Sequence, residues 1–118
     1  MFGLTAETKV FIRTGPTDGR LGMPALRALT ANVMSQDVKA GYLFCFANRA
    51  RNRLRMLWAD ESGFFLATKV LESGTFDFPR DGGPPKVVSF AKLEALVRGT
   101  RFTAVSKEAP LSNGGYRR

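Results

Sequence analysis

Three strand-length apolar segments follow one another between residues 41 and 71 and are joined only by short turn sequences. The first, GYLFCFAN, is dense in aromatic and aliphatic residues and is bounded by Gly41 and Asn48, which is typical of a buried strand. RLRMLWA and GFFLATKVL each have the length of a strand, and the turn-forming sequence DESG separates them. Because strands with such short connections pair with their chain neighbours in opposite directions, this stretch predicts an antiparallel meander.

Segments on either side predict the other elements. KVFIR at residues 9–13 alternates polar and apolar residues as a first strand does, and GTFDFP is interpreted as a further strand that ends at Pro79. Residues 23–36 show apolar residues at helical spacing behind a first-turn proline and form the predicted main helix. Ser89 is suited to cap a short helix over residues 90–98.

The length of the chain predicts a single domain, since 118 residues with 44% hydrophobic content can bury one core but not two. The fold class predicted for residues 1–102 is α+β. It comprises an antiparallel meander of about four or five strands, one main helix and a short C-terminal helix. Residues 103–118 lose all periodicity and are predicted to form a flexible basic tail.

The charge of the chain indicates a polyanionic partner. Eighteen Lys and Arg residues against ten Asp and Glu give a net charge of +8, and there is no histidine. Nucleic acid is the commonest such partner, and an acidic protein or a charge that serves solubility remain open alternatives. No long apolar run or signal-peptide pattern appears, so a cytoplasmic protein without a membrane partner is expected.

Four arginines recur at alternate positions and are called the arginine ladder: Arg49, Arg51, Arg53 and Arg55. The first two fall in the predicted turn NRARN. In the strand that follows, arginines and apolar residues take opposite faces, which predicts a half-buried strand with an arginine outer face. Guanidinium groups offer forked, permanently charged donors that suit phosphates. The alternative is a solvated face whose charge prevents aggregation.

Catalytic signatures are missing from the sequence. It contains no histidine and no nucleophile motif, and GPTDGRLG lacks the spacing and the lysine of a phosphate-binding loop. Asp18, Asp60 and Glu72 could in principle gather magnesium beside Lys69, but turns and salt bridges explain these carboxylates more simply. The lone Cys45 excludes an intramolecular disulfide and a multi-cysteine zinc site. We therefore predict a non-enzymatic protein with no catalytic residue, cofactor or metal.

The order of three pieces carries a family resemblance: GPTDGRLGMPAL before a helix, the unbroken block over residues 41–79, and the terminal LEALVRG. Together they resemble the second-open-reading-frame accessory protein of the insertion-sequence-sixty-six family, often labelled TnpB, from about residue 9 to residue 102. The positions that fit the family pattern are Gly15, Thr17, Asp18, Arg20, Gly22, Arg49, Asp60, Gly63, Lys69, Leu71 and Glu72.

The resemblance implies a bacterial mobile-element protein that is encoded beside a separate transposase and assists transposition without catalysis of its own. Asp18 and Arg20 bracket a glycine turn, where the carboxylate is expected to hold its own turn backbone and the arginine either locks the loop or contacts phosphate.

The predicted partner is DNA, contacted mainly through its backbone, with the transposase as a possible second partner. The residues predicted to bind nucleic acid are Arg20, Arg49, Arg51, Arg53, Arg55 and Lys69. The rival hypothesis is an adaptor that docks on the transposase through the same basic surface or through aromatic residues near Trp58. The oligomeric state stays open.

Overall fold

The computed structural model describes residues 2–32, 36–37, 41–78 and 81–97. The predicted first strand, three meander strands and second helix are confirmed within these ranges. The main helix predicted over residues 23–36 is confirmed over Met23–Asn32, and Gln36 is not helical. The predicted tail over 103–118 and the last residues of the predicted domain lie outside them. The elements are β1 Lys9–Ile12, α1 Met23–Asn32, β2 Leu43–Ala47, β3 Arg53–Ala59, β4 Phe64–Val70, β5 Lys86–Ser89 and α2 Phe90–Leu96.

The five strands form one mixed sheet in the order β4-β3-β2-β1-β5. β2, β3 and β4 make the predicted antiparallel meander, with Phe44 opposite Leu57. β1 instead runs parallel to β2, with Val10 opposite Leu43, and antiparallel to β5. The prediction of an antiparallel sheet is therefore wrong at β1. Because α1 lies between β1 and β2 and carries the chain back, β2 begins at the same end of the sheet as β1.

The segment predicted as a strand after the meander is not one. Phe76 and Phe78 are both buried and their ring centroids lie 6.1 Å apart, but the residues between Thr75 and Phe78 join no ladder. Their alternation reflected burial, since large rings fill a small core whether or not their backbone is paired. The fifth strand is β5, whose four residues are too short a run to stand out beside the loop before it.

Alternate residues of each strand point to opposite faces of the sheet, and both faces are packed with apolar side chains. Phe11, Phe44 and Leu57 pack with Leu26 of α1 on one face. On the other face Leu93 of α2 joins the second cluster, whose buried members are Val10, Ile12, Leu43, Cys45, Ala47, Leu54, Trp58, Phe76, Phe78 and Leu93. The two helices thus lie on opposite sides of the sheet.

The second helix begins as predicted. The backbone N–H of Lys92 donates to Oγ of Ser89 at 3.1 Å, which satisfies one of the unpaired donors of the first turn. Neither helix of the described ranges has the length and apolarity needed to cross a membrane.

The predicted arginine outer face of β3 is wrong in part. Leu54 and Trp58 face the α2 side as expected. Leu57, however, shares a face with Arg53 and Arg55 and is fully buried under α1. Among Arg53, Arg55 and Leu57, only Arg53 is exposed, because α1 and the loop before it extend across the rest of this face of the sheet.

Candidate nucleic-acid interface

Two loops meet at one edge of the sheet because β1 and β2 run parallel. The N–H of Arg13, just after β1, donates to the carbonyl of Cys45 at 3.0 Å, and the N–H of Thr17 donates to that of Ala47 at 2.9 Å. The segment that follows β1 therefore runs beside the end of β2, from which the hairpin turn also leaves. In sheets with parallel strands, ligands commonly bind at such carboxyl ends.

A cleft of about 200 Å³ opens between these two loops and is called the arginine cleft. Among the described residues that line it, three are arginines and none is acidic. Its volume lies below the roughly 300–1,000 Å³ of pockets that enclose drug-sized ligands, so it suits one small anionic group. The lining consists of Arg13, Thr14, Gly15, Pro16, Ala47, Asn48, Arg49, Arg51 and Phe78.

Arg13 is held in place within the cleft wall. Its Nη1 donates to Oγ1 of Thr17 at 2.9 Å and to the carbonyl of Pro16 at 3.2 Å. Within the described residues the other guanidinium nitrogens have no hydrogen-bond or ion-pair partner. The sequence did not identify Arg13 as a binding residue. The signal that could have identified it is its position directly after the first strand.

The hairpin turn that carries Arg49 and Arg51 is organised by Asn48. The Oδ1 of Asn48 accepts from the N–H groups of Asn52 and Arg53, each at 3.0 Å, and its Nδ2 donates to Oδ1 of Asn52 at 2.8 Å. The N–H of Arg51 donates to the carbonyl of Asn48, and Arg51 has a φ of 57°, in the left-handed region. Both arginines lie in the turn as predicted, and the structure brings them into the cleft.

The two ladder arginines in β3 differ sharply. Arg53 is exposed, and its Cδ lies 2.7 Å from where a Cβ on Gly19 would sit, so the missing side chain of that glycine makes room for the arginine stem. Arg55 is half-buried, and its Nη1 donates to the carbonyls of Gly19 at 2.9 Å and Leu21 at 2.8 Å. Its Nε is buried without a hydrogen-bond partner. Arg55 therefore holds the loop before α1 onto the sheet.

Arg20 and Lys69 lie apart from the cleft lining. Arg20 forms a forked pair with Asp18, with Nη2–Oδ2 at 2.9 Å and Nε–Oδ1 at 3.1 Å, and its N–H also donates to Asp18. The predicted turn-holding role of Asp18 is confirmed. The hydrogen bond from the Arg20 side chain is the main cause that lowers the pKa of Asp18 to about 2. Lys69 pairs opposite Leu54 on the α2 face, where its Nζ donates to the carbonyl of Val97 at 3.1 Å.

Asp60 also serves local structure. Asp60 accepts from the N–H groups of Ser62 and Gly63, and chiefly the first of these lowers the pKa of Asp60. Nowhere in the described part of the chain do three His, Cys, Asp or Glu side chains gather as a metal site would require.

One acidic group borders the cleft on the side of Thr14. The hydroxyl of Thr14 donates to the carbonyl of Gly83 at 2.8 Å, and the N–H of Gly83 in turn donates to Asp81. That N–H is the main cause that lowers the pKa of Asp81, and Lys86, 3.8 Å away, contributes too. The negative charge of Asp81 is thus neutralised in part by these two partners, which weakens its effect on the cleft.

The fold and this edge define the class: a small α+β protein whose parallel strand pair presents an arginine-lined cleft. The chain belongs to the IS66 Orf2-like protein family, whose model matches residues 8–107. This match confirms the family resemblance of the sequence motifs.

Two proteins of Sinorhizobium fredii are similar to the chain. Uncharacterized protein y4jC is 34% identical over 108 residues, covering 92% of each chain. Uncharacterized protein y4hO is 36% identical over 93 residues, covering 79% of this chain and 81% of the relative. No solved structure matches the chain.

Proposed function

We propose that this protein is a non-enzymatic accessory factor of insertion-sequence transposition that binds DNA through the arginine cleft and the neighbouring Arg53. Family membership supports the link to transposition. The observation that carries DNA binding is the convergence of Arg13, Arg49 and Arg51 on a cleft with no acidic lining residue, in a chain of net charge +8. Such contacts are directed at the phosphate backbone and are independent of base sequence.

The predicted residues take different parts in this proposal. Arg49 and Arg53 are exposed and make no ion pair with any described residue, so both are available to phosphate. Arg20 and Lys69 are peripheral contributors, since each is engaged by the protein. Arg55 is assigned a positioning role, because its Nη1 donates to two backbone carbonyls.

The rival function is an adaptor that docks on the transposase. One form of it relies on aromatic residues near Trp58, but Trp58 is only 8% exposed, stacks on Phe65 at 4.9 Å and donates to the carbonyl of Phe2. A buried ring offers little area to a partner. Phe2, however, is 58% exposed and its ring centroid lies 5.0 Å from that of Phe65, so the aromatic form of the adaptor stands beside the form in which an acidic protein face binds the same arginines.

Fluorescence anisotropy of a labelled duplex at several salt concentrations tests the proposal. Arg49→Gln and Arg53→Gln should each weaken binding and reduce the slope of log K against log salt by about 0.9, the value for one phosphate contact. Lys92→Gln is the matched control, because it removes one exposed charge from the first turn of α2, which lies next to the start of β1, whereas the cleft lies beyond the end of β1. If all three variants lose the same amount of DNA affinity, the effect comes from net charge alone. Absence of DNA binding by the wild type at low salt would favour the adaptor.

A further inference from the structure

We propose that the arginine cleft binds a phosphate monoester at the end of a DNA strand, in preference to a phosphodiester within the strand. This inference rests on the proposed DNA binding and names the group that the cleft takes.

The shape of the cleft favours a chain end. It is a recess of about 200 Å³ between two loops, with the buried residues Ala47 and Phe78 in its wall. The cleft is half open, so an internal phosphate, whose chain leaves on both sides, must place two sugars at its mouth to reach the arginines. A terminal phosphate has one linkage and enters a recess end-on.

The charge and number of donors favour a monoester as well. A monoester carries about −1.5 to −2 charges at pH 7 and three acceptor oxygens, whereas a diester carries one charge and two free oxygens. Three arginines line the cleft, and each is a forked donor whose charge is permanent. The charges of Arg13 and Arg49 alone match the dianion better than the diester.

One donor, and the backbone of the turn that carries the other two, are held before the ligand arrives. Arg13 is fixed by Pro16 and Thr17, and the turn with Arg49 and Arg51 is fixed by the hydrogen bonds of Asn48. A site that is already ordered loses less entropy on binding, so more of the energy of the charge-assisted contacts appears as affinity.

The test compares hairpin duplexes of one sequence that end in 5′-hydroxyl, 5′-phosphate or 3′-phosphate. For the wild type, at least one phosphorylated end should bind about tenfold more tightly than the hydroxyl end, as one additional charge-assisted contact predicts. Arg13→Gln and Arg49→Gln should each reduce this preference to less than about twofold. Arg53→Gln should weaken all three duplexes by one common factor, because Arg53 is not among the lining residues. Thermal unfolding of each variant verifies that it is folded.

A pH series supplies a readout that folding defects do not mimic. The chain has no histidine, and within the part of the chain that the structure describes the charged side chains at the cleft are its three arginines and the neighbouring Asp81, whose pKa is lowered. The preference should therefore fall between pH 7 and pH 5, as the monoester with its second pKa near 6 gains a proton.

Two outcomes would overturn the inference and leave the proposed function standing: equal affinity for all three ends, or a preference that persists unchanged in both cleft variants. Inorganic phosphate that binds as tightly as the phosphorylated end would also overturn it, because the ligand would then be free phosphate. Failure to bind any duplex would instead refute the proposed function.

Discussion

The backbone carbonyl of Arg51 accepts a 2.7 Å hydrogen bond from the N–H of Phe76. This bond ties the turn that carries two cleft arginines to the segment that supplies Phe78 to the same cleft. The turn is thus held by main-chain contacts as well as by Asn48. We therefore expect its geometry to survive the replacement of single arginine side chains.

Replacing Arg51 with asparagine should raise stability and lower DNA affinity. Asparagine tolerates the left-handed conformation that Arg51 adopts at φ 57°, so relief of strain should stabilise the fold by about 0.5–1 kcal/mol. Loss of one cleft charge should weaken DNA binding. Urea denaturation and anisotropy measure the two effects on the same sample. Arg51→Ala is the control, because it removes the charge and keeps the strained backbone; equal stability of the two variants would contradict the assignment of strain.

Two substitutions of Asn48 should separate turn geometry from cleft charge. Asn48→Ala removes the acceptor for the N–H groups of Asn52 and Arg53, and it should cost about 1–3 kcal/mol of stability. Asn48→Asp keeps that acceptor and adds a negative charge beside the arginines. The aspartate variant should be the more stable of the two in thermal unfolding and yet bind DNA more weakly than the wild type. Normal DNA binding by this variant would argue against phosphate contacts in the cleft.

Arg55→Met should destabilise the protein without abolishing binding. The substitution keeps an unbranched stem and deletes the donor to the carbonyls of Gly19 and Leu21, at a cost of about 2–4 kcal/mol. Below the melting transition the DNA affinity should stay within about twofold of the wild type, because no phosphate contact is lost. A large loss of affinity in the folded variant, comparable with that of Arg49→Gln, would return Arg55 to the binding surface.

The pair of Asp18 and Arg20 should stabilise its loop in a defined pH range. The pKa of Asp18 falls from an ordinary 3.8 to about 2 in the folded protein, so the contribution of the pair is complete above pH 4 and is lost as the pH drops through about 2. NMR titration of the Asp18 carboxyl follows this directly. In Arg20→Gln the pKa of Asp18 should move back toward 3.8, although the backbone N–H of residue 20 keeps part of the shift. An unchanged pKa would show that the forked pair does not form in solution.

Cys45 should report opening of the core. Its side chain is fully buried and burial raises the pKa of the thiol, so a thiol reagent can react only when the sheet opens. The reaction should be slow in the native protein. It should accelerate about 30-fold in a variant destabilised by about 2 kcal/mol, as Arg55→Met is expected to be. Rapid labelling of the wild type under native conditions would contradict this packing.

The elements that could be predicted from the sequence are those whose signals are local. The meander strands stand out by length and turn chemistry, and Ser89 is identified by its place before an apolar helical pattern. β5 was not predicted, because four residues carry little periodicity. The segment with Phe76 was wrongly predicted as a strand, because burial alone can produce alternation.

The arginine cleft and the neighbouring arginines of β3 show the same division between what local sequence signals predict and what they do not. The turn position of Arg49 and Arg51 follows from the sequence between two obvious strands. Arg13 joins them only because β1 pairs in parallel with β2, a relation between segments that the helix α1 separates. Arg53 and Arg55 occupy equivalent positions in the alternation, and only the loop at Gly19 and Leu21 distinguishes the exposed side chain from the engaged one.

The sequence by itself determined the net positive charge, the first strand, the meander strands, the two helices and the family pattern, because each is a property of residues close together in the chain. The tertiary structure alone decided which arginines converge and which support the backbone. Convergence at the arginine cleft depends on strand direction and sheet order, and these are set by packing on both faces of the sheet rather than by local residue preferences.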